Sequence, residues 1–154
     1  MAKAVKQHGR VYTPDYLVKV ILDLGGYDKP NILKKHVIDN SCGDGAFLTE
    51  IVRRYCAFFL TQKQDLSKLK HELETYIHGI ELDAMECDKC ILNLNKVVEE
   101  YGISKVKWDI TNADTLTVDR FNAKMDYVVG NPPYVRVHNL EESYEIVKKF
   151  KFAE

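Results

Sequence analysis

Two glycines after an apolar run are the first residues of this sequence whose spacing suggests ligand chemistry. Gly43 and Gly45 follow a short β-branched run that ends at Asp39, and a helical pattern begins just after them. Glycines in such a turn let the backbone approach a ligand, and the following helix points N–H groups at an anion. Leu48 replaces the third glycine of a dinucleotide fingerprint, so dinucleotide binding is not supported. By itself the segment also fits a plain tight turn.

Acidic residues follow two further predicted strands. Glu81 comes at the end of the second strand, where a carboxylate can accept both hydrogen bonds of a ribose diol. Asp114 follows the third strand and could accept a hydrogen bond from the exocyclic amine of a purine. Simpler interpretations stay open, because Glu81 could only cap the next helix and Asp114 could be an ordinary loop aspartate. For Asp83 we prefer the helix-capping role.

The segment Asn131-Pro132-Pro133-Tyr134 carries the most specific chemistry in the chain. Its prolines remove two backbone donors, so the Pro132 carbonyl and the Asn131 side-chain oxygen can together accept both protons of an amino group. That arrangement leaves the nitrogen lone pair directed elsewhere. Tyr134 offers a flat face on which a base could stack, a contact that contributes ~1–3 kcal/mol per base. The alternative is a rigid turn from a strand into a loop.

Alternating helical and strand patterns must position these clusters. Thr13 is predicted to cap a first helix whose first residue is Pro14, a second helix follows Gly45, and a third begins at Asp83. Residues 62–74 predict only a short surface helix. The predicted strands cover 36–39, 76–80, 105–110 and 125–129. This alternation predicts an α/β domain with a parallel sheet, and the clusters that follow its strands should then meet at the carboxyl edge.

In this order the clusters resemble those of S-adenosylmethionine-dependent amino-methyltransferases, and within them the gamma-type DNA adenine-N6 methyltransferases of restriction-modification systems. The resemblance runs from about Arg10 to Arg136. It implies a Rossmann-like class I methyltransferase sheet, of which this chain would hold the first four parallel strands with their flanking helices. It also implies catalytic roles for Asn131, Pro132, Pro133 and Tyr134. The implied S-adenosylmethionine site comprises Tyr12, Thr13, Pro14, Asp39, Cys42, Gly43, Gly45, Phe47, Glu81, Leu82, Asp114 and Asn131.

The resemblance further implies that the substrate is an adenine flipped out of double-stranded DNA. Its ring would stack on Tyr134 and its amino group would lie between Asn131 and the Pro132 carbonyl. The amine would attack the methyl group directly, so the protein would supply positioning rather than a nucleophile or a metal. The Thr13-Pro14 pair upstream favours DNA as the substrate. Relatives with the same tetrad methylate a glutamine side chain in protein or an amino group in RNA, and both alternatives stay open.

Composition limits the other classes of function. With 154 residues, 45% hydrophobic and 29% charged, the chain is typical of a soluble globular domain, and it contains no apolar run of membrane-spanning length and no secretory signal. We therefore expect a cytoplasmic protein. The net charge of -1 gives no basic surface for holding DNA by charge alone. Four cysteines indicate reduced thiols, and the pair Cys87 and Cys90 lacks the second pair of a zinc site, so we expect no metal.

The length argues for an incomplete catalytic domain. Sheets of the resembled family continue for three more strands after the tetrad, whereas only about 20 residues follow Tyr134 here. We therefore expect residues 1–154 to be the N-terminal part of a methyltransferase domain, without its target recognition domain and reaching DNA through a longer protein. The edge of the fourth strand should be exposed and open to pairing with a second copy or a partner chain. An inactive cofactor-binding fragment that needs a partner is the remaining alternative.

Overall fold

A parallel sheet of four strands, in the order β3-β2-β1-β4, organises the chain. The computed structural model describes residues 12–132. The strands are β1 (Val37–Asp39), β2 (Ile77–Glu81), β3 (Asp109–Asn112) and β4 (Tyr127–Val129), and the helices are α1 (Asp15–Leu24), α2 (Ala46–Leu60), α3 (Leu66–Tyr76) and α4 (Ala84–Glu99). Short 3-10 turns cover Pro30–Ile32 and Thr115–Thr117. The predicted α/β class with four parallel strands is confirmed.

The strand register brings the predicted clusters to one edge. Asp39 at the end of β1 pairs with Gly79 of β2 on one side and with Val129 of β4 on the other. Glu81 at the end of β2 pairs with Asn112 at the end of β3. All strands are parallel, so their carboxyl ends open on the same edge. Within residues 12–132 β4 pairs only with β1, which places it at the rim of the sheet as expected.

The core lies between one face of the sheet and the four helices. In α2 the apolar residues recur every three or four positions, which puts them on a single buried face of the helix. The fully buried residues include Leu22, Leu48, Ile51, Tyr55, Phe59, Ile77 and Leu94. Among residues 12–132, the opposite face of the sheet is covered more sparsely, by a small cluster of Ile38, Ile80 and Phe121, and Val128 of β4 is 64% exposed.

The third helix corrects one expectation from the sequence. Residues 62–74 predicted a short surface helix, but α3 runs from Leu66 to Tyr76 and is part of the core. Leu69 and Leu73, four residues apart, are fully buried, and Glu72 between them accepts a hydrogen bond from the buried hydroxyl of Tyr55. Most residues of this segment are polar, and they concealed a narrow apolar stripe. That stripe is enough to pack α3 into the core, because α3 packs on α2 and is not surrounded by other elements.

Two predicted boundaries were also wrong. Thr13 does not cap α1, because Pro14 occupies the N-cap position and the helix begins at Asp15. The third strand begins at Asp109 rather than at residue 105. Lys105 itself has a left-handed φ of 56°, which does not fit extended strand backbone. Among residues 12–132, no helix combines the length and the hydropathy that crossing a lipid bilayer requires.

Candidate functional site

The loop between β1 and α2 needs its two glycines. Gly43 and Gly45 have φ values of 53° and 95°, in the left-handed region that other residues rarely adopt. Gly45 is also the N-cap residue of α2, and a Cβ there would lie 3.0 Å from Sγ of Cys90 on α4. The loop is held from outside by the Asn93 side chain, which donates a hydrogen bond of 2.9 Å to the Asp44 carbonyl. The loop is thus a tight, buttressed turn at the carboxyl edge.

Glu81 connects this loop to the start of α4. Its Oε2 accepts a hydrogen bond from the Gly43 amide at 2.8 Å, and its Oε1 accepts one from the Asp83 amide at 2.9 Å. The Asn112 side chain donates to the backbone carbonyls of Glu81 and Leu82, which fixes the end of β2. An ionised carboxylate has about four lone-pair sites, so two amide bonds leave acceptor capacity for a ligand. The adjacent Leu82 side chain is 65% exposed and presents apolar surface.

Asp39 is a buried carboxyl group at the centre of the edge. It is 1% exposed and accepts a hydrogen bond from the Ser41 amide at 3.0 Å. Burial, with a smaller contribution from the charge of Glu81, raises the pKa of Asp39 to about 7. A Cβ added to Gly130, whose φ is 143°, would lie 2.5 Å from Oδ1 of Asp39. Glycine is therefore required where the end of β4 passes over the end of β1.

The first half of the predicted tetrad comes directly after this contact. Asn131 is half-buried, and its Nδ2 donates a hydrogen bond of 3.3 Å to Oγ1 of Thr13, while Pro132 is exposed. The N-terminal segment and the end of β4 are therefore in contact across the site. Pro133 and Tyr134 lie outside the described residues, so their catalytic roles stay predictions.

A second contact holds the N-terminal segment to α4. The Tyr12 hydroxyl donates a hydrogen bond of 3.2 Å to Oε1 of Glu86, and Lys89 donates to the same oxygen. Burial, followed by the charge of Glu86, raises the pKa of the Tyr12 hydroxyl. Burial, again followed by the charge of Glu86, raises the pKa of Asp44 in the glycine loop. Tyr12, Thr13 and Pro14 thus span from α4 to the end of β4.

Three other predicted site residues have structural roles that the chain makes visible. The Asp114 carboxylate accepts a hydrogen bond from the Leu116 amide at 3.0 Å and caps a 3-10 turn. The side chains of Cys42 and Phe47 are buried in the core beneath the glycine loop. A hydrogen bond with Cys90, and then burial, raises the pKa of the Cys42 thiol. The predicted contacts of Cys42 and Phe47 with S-adenosylmethionine stay predictions.

The cysteine pair of α4 behaves as apolar packing. Cys87 and Cys90 are buried free thiols, and so are Cys42 and Cys56. In the part of the chain that the structure describes, no three His, Cys, Asp or Glu side chains are grouped so that they could hold a metal ion.

The family to which the chain belongs follows from its match to a family model. The model described as N-6 DNA Methylase matches residues 1–154. The chain belongs to the N-6 DNA methylase family. A curated relative, the type II methyltransferase M.BstVI of Geobacillus stearothermophilus, is 37% identical over 156 residues, which cover 95% of this chain and 28% of the relative. This methylase chain therefore spans just over a quarter of that relative's length.

Solved structures place the methylase chain in the same fold class. The match to a structure of a DrdV–DNA complex covers 96% of this chain and 17% of the matched chain, with a TM-score of 0.67 and 20% sequence identity. A second match is to a protein of Listeria monocytogenes described as a class I S-adenosylmethionine-dependent methyltransferase. It covers 99% of this chain and 40% of the matched chain, with a TM-score of 0.59 and 18% sequence identity. The predicted Rossmann-like class I sheet is confirmed.

Sequence reasoning missed two residues of the candidate site. In the sequence Glu86, three residues after Asp83, resembles a capping-box residue, yet it lies on the buried stripe of α4 with Cys90 and Val97. The signal was the position of this carboxylate, which falls at helical spacing among apolar residues and so indicates that it binds another group. Gly130 carried no signal beyond its type, because its need for glycine arises from Asp39, 91 residues earlier in the chain.

Proposed function

We propose that this chain carries the cofactor-binding and catalytic part of an enzyme that transfers a methyl group from S-adenosylmethionine to N6 of adenine in double-stranded DNA, within a restriction-modification system. The observation that carries the proposal is the meeting of Glu81, Asp39 and Asn131 at one edge of the sheet, in a chain of the N-6 DNA methylase family. The name of the relative M.BstVI, a type II methyltransferase, supports it. Acting on cellular DNA, the enzyme would be cytoplasmic.

The residues at the edge fit this cofactor. Glu81 has acceptor capacity left for the two hydroxyls of a ribose, and the exposed Leu82 beside it offers a surface for the adenine ring. Gly43 and Gly45 keep the loop free of side chains where the rest of the cofactor would pass. A positive charge of the bound cofactor near Asp39 would lower the pKa of this buried carboxyl, so Asp39 would then be fully ionised. Tyr12, Thr13 and Pro14 would close the site from the N-terminal side.

The catalytic task of the protein is to orient an amine. S-adenosylmethionine supplies an activated methyl group on a sulfonium centre. Oδ1 of Asn131 and the carbonyl of Pro132 would accept hydrogen bonds from the two amine N–H groups, so that the nitrogen lone pair points away from both acceptors and toward the methyl group. The nitrogen would bond to the methyl carbon as the carbon–sulfur bond breaks, and one of its protons would then leave to solvent. Tyr134 would stack against the flipped base and hold its ring in plane. No nucleophile or metal is required from this chain in such a transfer.

Calorimetry with S-adenosylmethionine tests the cofactor site. We expect heat of binding with the unaltered chain and a loss of at least ten-fold in affinity in Glu81→Ala, since the ribose then loses its acceptor. Gly43→Val should also lose binding, because a branched residue opposes the left-handed φ of 53°. Glu99→Ala, an exposed glutamate at the far end of α4, is the matched control and should bind normally. Absence of heat with the unaltered chain would refute the cofactor assignment.

Methyl transfer to defined substrates tests the reaction. The protein as its gene encodes it should transfer a labelled methyl group to N6 of adenine in duplex DNA. Asn131→Ala should keep cofactor affinity within about two-fold and lose nearly all transfer, because one acceptor of the amine is removed. Transfer to RNA or to a protein glutamine instead of DNA would overturn the substrate assignment, and retained transfer in Asn131→Ala would overturn the positioning role.

A further inference from the structure

The contact between Thr13 and Asn131 has a consequence for the orientation of the catalytic amide. Nδ2 of Asn131 donates to Oγ1 of Thr13 at 3.3 Å, and the two residues are 118 positions apart in the sequence. The Asn131 carboxamide is planar, with its nitrogen and oxygen on opposite sides of the same carbon. Holding the nitrogen therefore also fixes where the oxygen points.

We propose that Thr13 is a positioning residue that sets the orientation of the Asn131 carboxamide. With Nδ2 engaged by the Thr13 hydroxyl, Oδ1 is the atom presented to the substrate amine. In this arrangement the amide nitrogen faces Thr13, and the amide oxygen, which can accept a hydrogen bond from the amine, faces away from Thr13. The inference rests on the proposed function and deepens it, because it assigns to the N-terminal segment a part in catalysis beyond contact with the cofactor.

Thr13 is well placed for this role because it is fixed from both sides. Directly after it, the Pro14 carbonyl accepts hydrogen bonds from the Leu17 and Val18 amides, which ties the segment to the first turn of α1. Directly before it, the Tyr12 hydroxyl is bound to the buried Glu86. A hydroxyl between two such anchors loses little further freedom when it accepts a hydrogen bond, so the contact can restrain the rotation of the amide.

The other partner is fixed as well. Asn131 follows Gly130, which lies against the buried carboxyl of Asp39, so the backbone that carries the carboxamide cannot shift toward β1. Rotation of the side chain is then the main freedom that remains at Asn131. The Thr13 hydroxyl acts on that freedom.

Kinetics of methyl transfer, in the protein as its gene encodes it, test the catalytic consequence. Thr13→Val keeps the shape of the side chain and removes the hydroxyl, so we expect kcat to fall by roughly three- to ten-fold, as for the loss of one hydrogen bond. Because Thr13 also belongs to the proposed cofactor site, the Kd for S-adenosylmethionine is measured separately and kcat is taken at saturating cofactor, where the fall should persist. Thr13→Ser restores the hydroxyl and should recover most of the lost kcat. Thr61→Val removes an exposed hydroxyl at the far end of α2 and serves as the matched control.

A spectroscopic readout tests the contact independently of activity. The side-chain amide resonances of Asn131 are identified in a ¹⁵N–¹H spectrum by their loss in Asn131→Asp. We expect Thr13→Val to shift them, and Thr13→Ser and Thr61→Val to leave them close to their original positions. If Thr13→Val does not fold, as judged by circular dichroism, Thr13→Ala is used in the same comparison.

The outcomes separate this inference from the proposed function. Unchanged Asn131 resonances in Thr13→Val would overturn it, and so would equal losses of kcat in Thr13→Val and Thr13→Ser. A fall in activity explained wholly by weaker cofactor binding would overturn it as well. If the unaltered protein transfers no methyl group to adenine, the proposed function fails, whereas the resonances of Asn131 still decide whether the hydroxyl orients the amide.

Discussion

Replacing Asp39 with asparagine should change how the stability of the protein depends on pH. The pKa of Asp39 is raised by burial from 3.8 to about 7, so between these values the folded chain holds a proton that the unfolded chain has released. Stability must therefore fall as pH rises from about 4 to about 7, and it should level off above that range. The asparagine introduced by Asp39→Asn would not titrate, while its side-chain oxygen could still accept the hydrogen bond from the Ser41 amide.

The magnitude follows from the size of the pKa shift. One pKa unit corresponds to ~1.4 kcal/mol, so raising the pH from 5 to 8 should cost the unaltered protein about 3 kcal/mol through Asp39 alone. The asparagine also lowers the unfolding free energy by a constant ~1–3 kcal/mol, because its amide nitrogen would be buried without an assured acceptor. That cost does not depend on pH. The useful quantity is therefore the difference in unfolding free energy between Asp39→Asn and the unaltered chain, plotted against pH.

Urea unfolding followed by far-ultraviolet circular dichroism at pH 5, 6, 7 and 8 measures this difference. It should move in favour of Asp39→Asn by about 3 kcal/mol across the range. The matched control is Asp65→Asn, at the exposed N-cap of α3, where the hydrogen bond from the Ser67 amide lowers the pKa below 3.8. Asp65 is ionised throughout this range, so its difference curve should be flat. A flat curve for Asp39→Asn, or one of opposite slope, would refute the reasoning.

Three further predictions concern the core, the acid limb and the rim of the sheet. Leu69→Ala should lower the unfolding free energy, measured by urea unfolding, by ~2–5 kcal/mol, and Leu66→Ala, at a partly exposed position, should lower it by much less. Equal losses in the two variants would contradict the packing of α3. The hydrogen bond from His78, helped by Arg120, lowers the pKa of Asp109 to about 2, so stability should be lost as pH falls from about 4 to 2. In an acid titration, Arg120→Gln should move that loss of stability to higher pH. The edge of β4 that has no partner strand within residues 12–132 should pair with a second copy. Sedimentation that shows only monomer at every concentration would contradict this.

The local features of the site could be predicted from sequence because they depend on neighbouring residues. The glycine loop was recognisable because only glycine adopts the left-handed φ of such a turn readily, and the Asp83 cap because a carboxylate at that position reaches the Met85 and Glu86 amides. Alternation of strands and helices was enough for the parallel class, since parallel strands require crossover connections. The limits of the strands are harder to predict, because the left-handed φ of Lys105 has no sequence signature.

What the sequence by itself determined is the order of the elements and the types of residue that reach the carboxyl edge. Only the tertiary structure decided which of them touch. Thr13 meets Asn131 across 118 positions, and Tyr12 meets Glu86 across 74, because the sheet order places β1 between β2 and β4 and folds the N-terminal segment over their ends. Such contacts depend on the packing of the whole sheet, whereas periodicity and turn chemistry report only on residues a few positions apart.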